Sequence, residues 1–498
     1  MPGELEYVIK HALTRDVAYD TILKAKRAPL HAAFAGWLER NRADEDEHAA
    51  MLAHHYAEAV RPEDLDLAWS GREDEAEQLR IKAVAWSARA AELAVGRYEV
   101  DEGLALLTRA VELEADPAEQ ARLWHTIGRA HALKFDGEGL WKAMGRAIEI
   151  GGASADLYTE LAFQSVRRWG IWRREPDAEL VGGWIDRALE LAEPGSRNEA
   201  RALYARAAWA EDEASARALE AVAERIGDAD LRSLALEAMD NVAWEARDPA
   251  WVQRLADGQF ELLPRLSDPD DRTRALLHIA LVYVRLGNLA LAERAARLHV
   301  ELAEGLTPHH RLYGAALRTA VEAFRGDWDG VRELTPTAER AVDANLAAET
   351  PCPQNVTTLL HSAAASAYVG DEGEARRLEA RADAIGMEGY RFWFDAPRIR
   401  LALARGDVAA LERLVADEPA VAYEGGAAFL DALVALGDRK RIEEQAPRLI
   451  APDTYVEPFA LRALGVARDE PGLIRQALER FEAMALAWHA EQTEVLLS

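Results

Sequence analysis

Between Ser87 and Gly152, small and bulky residues recur at the spacing of paired helices. Ser87, Ala90, Ala91, Ala94, Gly103, Leu107 and Ala110 form one set. Trp124, Ile127, Gly128, His131, Leu140, Met144, Ala147 and Gly152 form a second at matching offsets. Ala91 and Gly128 are 37 residues apart, and so are Ala110 and Ala147. Equal spacing at two independent positions is what a duplicated helix-turn-helix unit produces. Short side chains at Ala91 and Ala110, or at Gly128 and Ala147, mark where the two helices of a unit touch, and Trp124 and Met144 fill the space beside that contact. One hairpin cannot bury its apolar face alone and must stack on a neighbour. The expected fold class is all-α: a right-handed α-solenoid of helix hairpins with a short helical N-terminal segment and a concave inner surface.

Other stretches extend the pattern. Val8, Leu13, Val17, Ile22 and Leu23 predict a short helical start, and Leu30, Phe34, Trp37 and Leu38 a helical stripe. A third helix is expected over about Glu47–Val60, with Met51, Leu52, His55, Tyr56 and Ala59 on one side. Further on, glycine followed by Asp or Asn closes one apolar helix and opens the next. Such pairs stand at Gly287-Asn288, Gly326-Asp327, Gly370-Asp371, Gly406-Asp407 and Gly437-Asp438, in steps of 39, 44, 36 and 31 residues. Glycine supplies a left-handed cap and the following Asp or Asn starts the next helix. Gly96 is expected to cap in the same way, and Gly227-Asp228 is a further instance. Glu193–Ser196 and Ser267–Asp271 read as breaks, and Thr350–Asn355 as the longest non-helical interruption. Trp169, Trp172, Trp184, Trp209, Trp244 and Trp251 crowd the middle. They either fill wide gaps between helices or line the concave face as partner anchors. Pro471–Leu497 predicts a final helix, with Arg475, Glu479, Arg480 and Glu482 on a polar outer side. The expected division is a helical junction over residues 1–75, a first repeat lobe over 76–266 and a second over 267–498.

A chain of 498 residues exceeds one ordinary core, and a repeat array escapes that limit because each unit packs on its neighbours. A formal charge of −28 argues against direct binding of nucleic acid. The single cysteine, Cys352, leaves no intrachain disulfide and fits a reducing cytoplasm; it is expected in a loop. With neither a signal peptide nor a transmembrane-length apolar run in view, a soluble cytoplasmic protein away from membranes is expected.

Catalytic chemistry is sparse. The chain has no phosphate-binding G-x-x-x-x-G-K-[ST] loop, no G-x-S-x-G elbow and no H-E-x-x-H motif. His54, His55 and Glu58 share a helical neighbourhood, and His309 and His310 are expected in a turn. Adjacent histidines on a helix point different ways, so these read as core or surface residues, with no metal and no cofactor expected.

The offsets of the duplicated unit follow the tetratricopeptide pattern. Tyr7–Tyr19, followed by Arg27, Leu30, His31 and Trp37-Leu38-Glu39, together with Leu52–Tyr56, resembles the junction where an AAA-type (STAND) ATPase module gives way to tetratricopeptide repeats. That junction occurs in bacterial multidomain class III adenylate/guanylate cyclases and in large LuxR-type regulators. The tail Ala477–Phe481 through Trp488-His489-Ala490 resembles the ending of the same proteins. The resemblance implies a sensor arm that signals to an ATPase switch. It also implies that His11, in His11-x-Leu13-x-Arg15-Asp16, contacts a nucleotide phosphate in trans; the alternative is a helix-end histidine that packs or caps. The leading expectation is a non-enzymatic scaffold that binds protein partners through its concave face, an ATPase or cyclase module among them. The alternative is a detached C-terminal part of a cyclase or LuxR-type regulator acting with a nucleotide-binding partner.

Overall fold

The computed structural model describes residues 17, 19–41, 46–168, 170–172, 176–350, 352–387, 390–416 and 423–498. It is 82% helical, with 26 helices and, among the described residues, no strand. No helix is long and apolar enough to cross a membrane. The chain divides into two compact units, one of residues 1–133 and 139–153, the other of residues 134–138 and 154–498.

In the first unit, helices Lys24–Asn41, Ala49–Ala59, Glu73–Gly96, Val100–Leu113 and Pro117–Leu133 pack in succession, and Ala49–Ala59 lies along Glu73–Gly96. The duplicated small residues sit where helices cross. Ala91, Ala110 and Ala147 are fully buried. A β-carbon on Gly103 would lie 2.5 Å from Val95 Cγ2, and one on Gly128 would lie 2.6 Å from Met144 Cε. Glycine therefore admits Met144 into the hairpin. In Lys24–Asn41 the buried stripe is Ala28, Ala35 and Leu38, whereas Leu30 and Phe34 are exposed, contrary to expectation. The alanine face lets Leu52 and Tyr56 of the next helix come close.

The second unit stacks hairpins. Pro353–Tyr368 packs on its hairpin partner Glu372–Ile385 and also on the next-but-one helix Arg391–Arg405, and Pro308–Arg325 relates likewise to Trp328–Ala347 and Pro353–Tyr368. The glycine ladder works as the sequence predicts. Gly227, Gly287, Gly326, Gly370, Gly406 and Gly437 all have φ between 64° and 87°. The Asp or Asn after each accepts a backbone N–H at the start of the next helix, as Asp327 Oδ1 does from Gly330 at 2.9 Å. Gly96 departs from this: the left-handed residue of that turn is Tyr98, with φ of 62°. Thr350–Asn355 is also shorter as an interruption than expected, because Pro353 opens a helix with Cys352 at its N-cap position.

Two features depart from a simple linear stack. The C-terminal stretch is a hairpin, Pro471–Ala483 and Ala487–Glu494, broken at left-handed Ala485 rather than continuing as one helix. Its second arm returns to the middle of the unit. Trp488 meets Trp328 and Tyr368, and the Tyr455 hydroxyl donates to Phe324 O at 2.8 Å. Near the start of the unit, Arg168 pairs with Asp270, and the Tyr390 hydroxyl donates to Trp172 O at 2.9 Å.

Candidate functional site

Helix Pro308–Arg325 separates two polar regions of the second unit. Pro308 occupies its first turn, where a missing N–H costs nothing, and Gly326 ends it with φ of 77°. Thr307 stands at the N-cap, but its hydroxyl bonds His310 Nδ1 at 2.8 Å instead of capping. One face carries His309, His310 and Tyr313 into a small cavity; the opposite face presents Arg311, Ala315, Arg318 and Thr319 to a groove.

The cavity is about 40 Å³, room for one or two waters and too small for a substrate. Asp270 is its centre: Oδ2 accepts from Arg168 Nη2 at 2.7 Å, and Oδ1 bonds His310 Nε2 at 2.8 Å. Arg167 reaches Asp270 at 3.5 Å and also pairs with Asp271. The Phe135 ring stacks on His309 with centroids 3.5 Å apart, and the Arg168 guanidinium lies over the Phe135 ring at 4.7 Å. Beside it, Arg274 pairs with Glu237 at 2.6 Å, which also accepts from Tyr204 at 2.8 Å. Burial works to raise the Asp270 carboxyl, yet Arg168, the His310 bond and Arg167 hold it well below the usual carboxylate range. Burial similarly opposes ionisation of Glu237, but Arg274 and His278 bring it down to about 2. Burial, then the neighbouring His310, pushes His299 down to about 3 and His309 well below its ordinary value. The cluster is therefore a set of compensated ions with neutral His299 and His309 beside them. It ties residues 135 and 167–168 to helices Pro269–Arg285 and Pro308–Arg325.

The groove lies between helices Leu289–Ala303, Pro308–Arg325 and Trp328–Ala347, with a volume of about 340 Å³. Ala303, Ala315, Ala338, Ala341 and Ala344 give it a smooth apolar floor, and Arg311, Arg318 and Arg340 line it. Arg311 donates to the backbone carbonyl of Leu306 at 2.6 Å, and Arg340 to the Thr337 hydroxyl at 2.9 Å. Arg318 Nε is buried without a hydrogen-bond partner. Among the described residues, none of the three makes an ion pair, whereas Arg167, Arg168, Arg400 and Arg462, all buried, each hold an aspartate.

The residues singled out in the sequence fall in different places. His11 lies outside the described residues, as does Trp169. Cys352 is fully buried, and burial pushes its thiol up to about 12, so it stays protonated. His309 and His310 belong to the first helical turn of Pro308–Arg325 rather than to a connecting turn, and both are buried, with Phe135 against both rings and Asp270 bonded to His310. Trp172 and Trp184 stack on each other with centroids 6.2 Å apart, both buried, in the gap-filling role. His54 and His55 are joined by His31, a residue from another helix that the sequence did not single out as their companion. Nor did the sequence reveal the Asp270 cluster or the arginine groove. Their partners come from elements far apart in the chain, and the local signals, the Arg167-Arg168 and His309-His310 doublets, do not show that they meet. No family model matches this chain, and no curated protein matches it.

Proposed function

We propose that this chain is a non-enzymatic helical-repeat scaffold of a signalling system, and that it holds an acidic segment of a partner protein in the groove lined by Arg311, Arg318 and Arg340. The observation that carries this reading is the ion-pair imbalance at that groove. In a chain of formal charge −28, three guanidinium groups line that groove against one carboxylate, Glu304, and none of the three is within ion-pair distance of an acid among the described residues. Guanidinium groups over an alanine floor suit a helix or extended segment that combines carboxylates with apolar side chains. The neutralised ionic cluster and the protonated Cys352 thiol fit a binding role better than a reaction centre. An ATPase or cyclase module is the partner class that the resemblance implies.

The test uses three fluorescein-labelled peptides of equal length, carrying Glu/Leu, Gln/Leu or Lys/Leu at i, i+4 spacing, read by fluorescence anisotropy. The acidic peptide is expected to bind, and Arg318→Glu with Arg340→Glu to weaken it at least ~10-fold, as loss of two charge-assisted contacts does. Equal binding of all three peptides, or ATP turnover by the purified chain, would overturn the proposal.

A further inference from the structure

The geometry points to a transition-metal site in the first unit, built from His31, His54 and His55, with Zn²⁺ as the ion its donors suit. His31 comes from helix Lys24–Asn41 and the other two from Ala49–Ala59. One nitrogen of each imidazole lies within 4.8 Å of the other two. Consecutive residues of a helix diverge by about 100°, so His54 and His55 cannot alone enclose an ion. His31 supplies the missing wall: its ring centroid is 5.0 Å from that of His55 and 6.0 Å from that of His54.

The closest contact is informative. His31 Nδ1 and His55 Nδ1 are 2.7 Å apart. Two neutral imidazoles meeting there share one proton between two lone pairs. A cation in its place uses both lone pairs. Nitrogen donors at 2.0–2.1 Å around a tetrahedral ion lie ~3.4 Å from one another, so His31 and His55 need to part by less than about 1 Å and the widest separation of the three to close by up to ~1.4 Å. The opposite edge of His31 is already held, with Nε2 at 2.9 Å from the Tyr19 hydroxyl. With an ion on Nδ1 the ring proton sits on Nε2, where the Tyr19 oxygen is within reach to accept it, the outer-shell support that metal-binding histidines ordinarily have. Glu58, one turn after His54, adds a carboxylate near all three rings while bonding Arg109 at 2.6 Å. The cations that face the site, Arg27 and Arg61, are each paired with acids: Asp20 for the first, Glu58 and Glu63 for the second. Three imidazoles exclude the oxygen-seeking Ca²⁺ and Mg²⁺ and favour a borderline ion such as Zn²⁺, with a fourth position left for water. The site lies in a different unit from the arginine groove and is independent of the reading proposed for it.

The test titrates Zn²⁺ into the tag-free full chain by calorimetry and follows Co²⁺ by visible absorption. One saturable ion per chain is expected, with the intense visible bands of four-coordinate Co²⁺. His31→Ala and His55→Ala are each expected to weaken Zn²⁺ at least ~10-fold and to abolish the Co²⁺ bands, while His48→Ala leaves both unchanged. His31→Gln, checked by circular dichroism, replaces His31→Ala if the alanine variant misfolds. Absence of saturable uptake, or uptake unaltered in the His31 and His55 variants, would overturn the site.

Discussion

Gly370 has φ of 87°, with nothing within 4 Å of the place a β-carbon would occupy. Its value to the fold is therefore purely conformational. Gly370→Ala should lower stability by about 1 kcal/mol through backbone strain alone, measured as a fall in the urea midpoint. An unchanged midpoint would mean that the turn is not held in the left-handed region. Six Gly-Asp or Gly-Asn turns of this kind were legible in the sequence because each marker advertises its own geometry. Others were not. Tyr98, Phe135, Glu211, Arg247, Glu349, Asp469 and Ala485 take positive φ without being glycine. Packing on both sides of such a turn outweighs a local penalty of about 1–2 kcal/mol, so the residue carries no sign of its conformation.

At the scale of the helix pair, what decides the crossing is the size of a few side chains. Ala147 is fully buried, and Met144 fills the space that Gly128 leaves. Ala147→Leu should overpack that contact and cost about 1–3 kcal/mol, seen as a lower thermal midpoint. A variant that melts like the parent would disprove the hairpin register. This level was readable because both helices of a hairpin are neighbours in the chain, so spacing reports contact directly. The first stripe was misread for a related reason. Leu30 and Phe34 are the bulkier residues of Lys24–Asn41, but the neighbouring helix comes close only on the side where Ala28 and Ala35 are short. The groove escaped notice because Arg311, Arg318 and Arg340 stand on two helices, and an arginine's missing partner is a property of space rather than of sequence.

Across the whole molecule, neutral histidines are embedded at several points. Burial pushes His299 down to about 3 and His361 to about 4, and holds His309 and His489 well below the ordinary value. The unfolded chain takes up these protons near pH 6.5 and the folded chain does not, so stability falls as pH drops below 6.5 and continues to fall towards the folded values. Each buried histidine contributes up to about 2 kcal/mol of that loss by pH 5. The depressed carboxylates, Asp270 and Glu237, act later: their stabilisation is present above the unfolded carboxylate range and is lost below it, Glu237's as pH approaches about 2. The urea midpoint should therefore decline between pH 7 and pH 5, and His299→Gln should flatten that decline; a midpoint constant over this interval would contradict the account. The second unit also joins positions separated by 102 residues at Arg168–Asp270 and by 218 at Tyr390–Trp172. An open array tolerates gain or loss of a module, because each module answers only to its neighbours. Here the count is locked: duplicating or excising one hairpin between Asp271 and Tyr390 would slide the far anchors out of reach, so this unit can diversify by substitution far more readily than by changing its number of repeats.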